Sequence, residues 1–123
     1  MRGLAVFWLS LWLAVPASAQ SAFLDTERAR LRTHFDEVLA ELEVADTSSL
    51  SDDQRARRAV HLVRLAEYRD RGVFPRRYDA TPGRVPEFRD VHGTRCAMGE
   101  LIYLSGETQL VEDVARTANS ATI

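Results

Sequence analysis

The chain has 123 residues, a formal charge of −2 and a single cysteine, and all sixteen of its basic residues are arginine. That length allows one small domain. The mild charge supplies no strong field for nucleic acid or anionic lipid, and one cysteine excludes an internal disulfide.

Met1-Arg2 opens a short positive region, and Leu4 to Val15 is an apolar run carrying Phe7, Trp8 and Trp12. Pro16 breaks the run, and Ala17-Ser18-Ala19 places small residues where a signal peptidase reads them. The pattern predicts a secretory signal peptide over residues 1–19, cleaved between Ala19 and Gln20. The alternative is an uncleaved anchor, but the run is shorter than the roughly 20 residues of a bilayer span. No stable membrane insertion is expected after cleavage. Loss of Arg2 with no acid takes the formal charge from −2 to −3. Residues 20–123 are then expected to form one exported domain, periplasmic or extracellular.

From Phe23 to Leu42 the apolar residues Leu24, Leu31, Phe35, Val38, Leu39 and Leu42 recur by threes, fours and sevens. That spacing predicts an amphipathic helix with one buried stripe. The charges between them read as a solvated face with ion pairs from turn to turn, and His34 as a surface histidine. Ala45 to Leu50 is a break rich in turn-formers. Ser51-Asp52-Asp53-Gln54 matches a capping box and starts a second helix. Its Ala56, Ala59, Val60, Leu62, Val63, Leu65, Ala66 and Tyr68 form a broad apolar face, expected to meet more than one neighbour. Gly72 is placed for a left-handed cap. His61 lies among Arg57, Arg58 and Arg64, which read either as an anion site or, more commonly, as a solvated face.

Phe74-Pro75, Pro82, Gly83 and Pro86 predict a long irregular loop, pinned by Phe74, Tyr78 and Phe88. Pro86 to Phe88 reads as a short extended piece leading into the turn Asp90-Val91-His92-Gly93. Thr94 is the expected N-cap of a third helix over Arg95 to Ser105, with Cys96 in its first turn. Cys96, Ala97, Leu101 and Leu104 are expected to share its buried face. Gly106 ends it. Leu110, Val111, Val114, Ala115 and Ala118 mark a fourth helix, with Asn119-Ser120 as its C-terminal cap. Two short helices joined at a glycine also describe a DNA-reading motif. Glu112 and Asp113 against Arg116 alone, in an exported chain, argue for a structural hairpin and no nucleic-acid partner.

The segments RARRAVHLVRLAEYRDRGVFPRR and VPEFRDVHGTRCAMGELIYLSGETQLVEDVARTAN resemble a group of exported bacterial proteins of unassigned function. Tyr68, Gly72, Phe74 and Pro75, then Pro86, Phe88, Asp90, Gly93, Cys96 and Ala97, carry the shared pattern. The likeness spans most of the chain from about Arg55 onward. Arg77 stands where members often have Asn, and the chain stops sooner after its last helix than members tend to. The resemblance implies export and a shared fold, and no substrate.

Cys96, His92 and Asp90 are the candidate catalytic residues. A thiolate at the positive end of a helix dipole needs a base, and the base an orienting carboxylate. All three lie within one turn and one helix start, whereas thiol enzymes bring their histidine from far along the chain. The competing reading makes Cys96 a small packed residue and Asp90 the acceptor that holds the turn. On that reading Cys96→Ser costs more than Cys96→Ala. His92 and Cys96 supply two ligands where zinc usually takes three or four, with Asp90 as a conceivable third. No metal site or cofactor is therefore assigned. The expected protein is all-α: a small bundle of about four helices, one long Pro/aromatic loop and at most one very short strand. Its expected role is a binding or structural module of the cell envelope, with an envelope protein as the conceivable partner. The alternative is a Cys96-centred thiol enzyme or redox protein.

Overall fold

The computed structural model describes residues 17–77 and 86–121. Among them are four helices, α1 (Ala17–Val44), α2 (Asp52–Arg71), α3 (Ala97–Leu104) and α4 (Thr108–Thr117). One isolated antiparallel bridge, between Arg89 and Arg95, is the only β-type pairing among the described residues. The fold is the small all-α bundle expected. The helices pack in chain order, α1 on α2, α2 on α3 and α3 on α4. No described helix is long and apolar enough to cross a membrane.

The stripe expected on the first helix faces inward: Leu39 is buried, and Leu24, Leu31, Phe35, Val38 and Leu42 are half-buried. α1 begins at Ala17 and so extends N-terminal of the expected Phe23 start, across the Ala19–Gln20 bond. α2 starts as its capping box requires. The Gln54 N–H donates to Ser51 Oγ at 3.2 Å and the Ser51 N–H donates back to Gln54 Oε1 at 2.9 Å. It ends at Gly72, whose φ of +64° is the left-handed conformation that glycine adopts without a Cβ penalty.

Arginines join α1 to α2 by capping each other's ends. The Arg32 guanidinium donates to the main-chain oxygens of Arg69 and Asp70, and Arg28 donates to that of Gly72 at 3.1 Å. In the other direction Arg58 of α2 donates to the Leu42 oxygen near the end of α1. The last carbonyls of a helix lack intrahelical donors and carry the negative end of its dipole. The hairpin therefore meets those needs with side chains from the neighbouring helix.

The apolar core is thin. Among the described residues Leu39, Leu65, Tyr68 and Val111 are its buried apolar members, and Val111 is the one fully buried. Phe35, Tyr68 and Phe74 extend it as a ring cluster with centroids 5.4–5.7 Å apart. Phe74 thus pins the start of the loop to α1 and α2, as its aromatic character suggests. Tyr78, expected to do the same, lies outside the described residues.

Two expectations about faces need correction. The broad apolar face of α2 is only half used: Val60 and Val63 remain 49% and 59% exposed. On α3 the buried positions are Gly99 and Glu100, while Leu104 is exposed. Gly99 packs against the Phe88 ring. A Cβ on Gly99 would lie 3.1 Å from that ring, so the close contact requires the small residue.

Candidate functional site

The polar turn and the start of α3 form one hydrogen-bonded unit. Phe88 and Cys96 are paired through Cys96 N–H to Phe88 O at 2.8 Å, and Asp90 N–H donates to Thr94 O at 2.9 Å. Gly93, at φ +84°, closes the turn by donating to Asp90 O. The sharp reversal between two paired strands of backbone thus falls on a glycine, where positive φ carries no steric cost.

Asp90 is buried beneath this turn. One carboxylate oxygen accepts the N–H groups of His92 and Thr94, each at 2.9 Å. The other accepts the Arg76 N–H at 3.1 Å, from the loop after α2. Burial alone would raise the carboxyl's pKa. The backbone donors of Arg76, Thr94 and His92 outweigh it and hold the group below its ordinary range, with a smaller contribution from the His92 charge. His92 itself is exposed at the rim of the turn.

Cys96, not Thr94, caps α3. It has extended φ and ψ of −67° and 171°, and its Sγ accepts the Gly99 N–H at 3.5 Å. The cap falls two residues after the expected one because the backbone of Thr94 is already used. Its N–H goes to Asp90 and its C=O accepts from the same residue. Cys96 is half-buried. The three candidates are therefore brought to one turn, with Asp90 and Cys96 both spent on backbone N–H groups.

Beside them is a group that the sequence reading missed. Glu100 is buried and bridges two arginines, accepting from Arg71 Nη2 at 2.9 Å and Arg95 Nε at 2.8 Å. Arg95 in turn lies over the Tyr103 ring, 3.8 Å from its centroid. Tyr68, 3% exposed, donates its hydroxyl to Arg95 O at 3.0 Å. Burial foremost, then the charges of Cys96 and Glu100 against Arg71, hold that phenol well above its ordinary pKa. A single acid in the otherwise uncharged AMGELIYL was the available signal.

Asn119 does not act as a simple helix cap. Ala118 closes α4, while Asn119 reaches back to the 87–89 segment. Its main-chain oxygen accepts from Phe88 N–H at 2.8 Å and its Oδ1 from Arg89 N–H at 3.0 Å. Its Nδ2 donates to Glu87. The extended piece before the turn is thus held from both sides.

The remaining histidines lie apart from this unit. His34 is exposed beside Phe35. His61 is half-buried at a shallow groove of about 380 Å³ with Leu42, Leu62 and Leu101, and its Nδ1 has no hydrogen-bond partner among the described residues. Of the arginines expected around it, Arg58 caps α1 and Arg57 pairs with Asp53. No group of three or more His, Cys, Asp or Glu residues that could hold a metal occurs among the described residues. The chain matches no protein-family model, and neither curated proteins nor solved structures give a match.

Proposed function

We propose that the protein is an exported bacterial protein serving as a binding or structural module of the cell envelope, not a thiol enzyme. The leader pattern of residues 1–19 and the resemblance carried by Tyr68, Gly72, Phe74, Asp90, Gly93 and Cys96 support export. One observation carries the non-catalytic part: both Asp90 carboxylate oxygens are occupied by backbone N–H groups. A carboxylate so engaged holds a turn in place and is poorly free to orient a catalytic imidazole.

The two parts are tested separately. Expressed with its leader in a bacterium, the protein should be recovered from periplasm or medium with an intact mass that starts at Gln20. An envelope-bound product retaining Met1 would overturn export. For the site, native Cys96 should react with iodoacetamide more slowly than in the urea-unfolded chain. Faster reaction in the native protein would favour the Cys96-centred enzyme.

A further inference from the structure

The outward face of α2 is not the polar surface that a helix in a small monomer usually presents. Val60 and Val63 are 49% and 59% exposed, and Ala56 and Ala59 beside them are exposed too. With Glu67 they recur at three- and four-residue steps, which places Ala56, Val60, Val63 and Glu67 on one seam. α1 and α3 pack against other faces of the helix and leave this one open.

Charges of both signs flank the seam. Asp52 and Asp53 lie in the first turn of α2, and Arg69 and Arg71 in the last. Glu67 makes no ion pair or hydrogen bond among the described residues. Arg57 pairs with Asp53, but both side chains are mostly exposed, at 73% and 69%. Such a surface pair contributes little and exchanges partners readily.

We propose that this face binds a second copy of the chain, α2 against α2 in antiparallel register. Setting Val60 against the partner's Val63 brings Arg57 within one residue of the partner's Glu67, and by symmetry the same pair forms twice. The parallel alternative would place Arg57 on Arg57 and Glu67 on Glu67, and like charges so placed repel. The alanines let the two helices approach closely. The contact is self-complementary, as a two-fold interface must be. One helix face falls below the area of about 1,200–2,000 Å² of a standard stable complex, so the dimer is weak and forms with rising concentration.

Sedimentation equilibrium of the leader-free protein, from micromolar to millimolar concentration, tests this. The expected result is a reversible monomer–dimer equilibrium. Val63→Glu should abolish it while leaving the circular-dichroism spectrum and unfolding midpoint unchanged, since the residue is exposed. Arg57→Glu should weaken association about tenfold or more through two lost ion pairs and two new repulsions. The swap Arg57→Glu with Glu67→Arg should restore it, a recovery that general destabilisation would not give. A monomer at every concentration would overturn the proposal. So would a dimer that survives Val63→Glu, or a charge swap that fails to recover.

Discussion

The Tyr68 hydroxyl donates to the main-chain oxygen of Arg95 at 3.0 Å. Through that bond the last turns of α2 are tied to the residue just before the cap of α3, across 27 positions of sequence. The ring that carries the hydroxyl belongs to the Phe35–Tyr68–Phe74 cluster. One side chain thus joins the α1–α2 hairpin, the loop that follows it and the turn unit. Tyr68→Phe keeps the ring packing and leaves the Arg95 carbonyl without this donor. It should lower stability by about 1–2 kcal/mol in urea unfolding, with the helical spectrum of the native state unchanged.

Asp90 provides the acid-sensitive link. Its folded pKa lies below the ordinary 3.8. Its contribution is therefore complete above that value and is lost as pH falls through the folded one. Asp90→Asn keeps one acceptor oxygen but turns an NH₂ group toward a backbone N–H. The variant should be about 1–3 kcal/mol less stable at neutral pH. The gap between variant and wild type should narrow below pH 3.8. A gap that stays constant down to the acid limit would mean that Asp90 does not hold the turn as a carboxylate.

Gly72 is needed twice over. Its φ is +64°, and a Cβ there would lie 2.5 Å from Arg32 Nη2. Gly72→Ala should cost about 1–2 kcal/mol for the left-handed conformation, and it displaces the arginine that caps α2. Arg32→Ala alone should cost less, because the carbonyls of Arg69 and Asp70 can turn to water.

Ser51→Ala removes one half of the capping box of α2. Loss of the Gln54 N–H to Ser51 Oγ bond should lower the unfolding midpoint by the equivalent of about 1 kcal/mol. An unchanged midpoint would place the start of the helix elsewhere.

Local chemistry was legible in the sequence wherever one residue type has one strong use. The Ser51–Gln54 box, the Gly72 cap, the α1 stripe and the Phe74 pin all follow from spacing and side-chain type. What was not legible depends on residues far apart in the chain. The cap of α3 moved from Thr94 to Cys96 because the Thr94 backbone is committed to Asp90. Glu100 became a buried bridge because Arg71 arrives from the end of another helix. Asn119 serves the 87–89 segment because α4 folds back over the turn unit. For the candidate site, the role of Asp90 in holding its turn was readable from sequence. The cap role of Cys96 was not, since cysteine is an uncommon N-cap residue.

That cap role reverses the order of effects expected of a packed cysteine, and the reversal can be measured. Urea unfolding of wild type, Cys96→Ser and Cys96→Ala compares the three directly. Serine is a preferred N-cap residue and its Oγ can accept the Gly99 N–H, so Cys96→Ser should match or exceed wild type in stability. Alanine offers no acceptor, and Cys96→Ala should lose about 1 kcal/mol. If Cys96→Ser is the less stable of the two, the sulfur is buried for its apolar character. If neither substitution changes stability, the residue does no structural work, and the reading of this turn as a structural unit is contradicted.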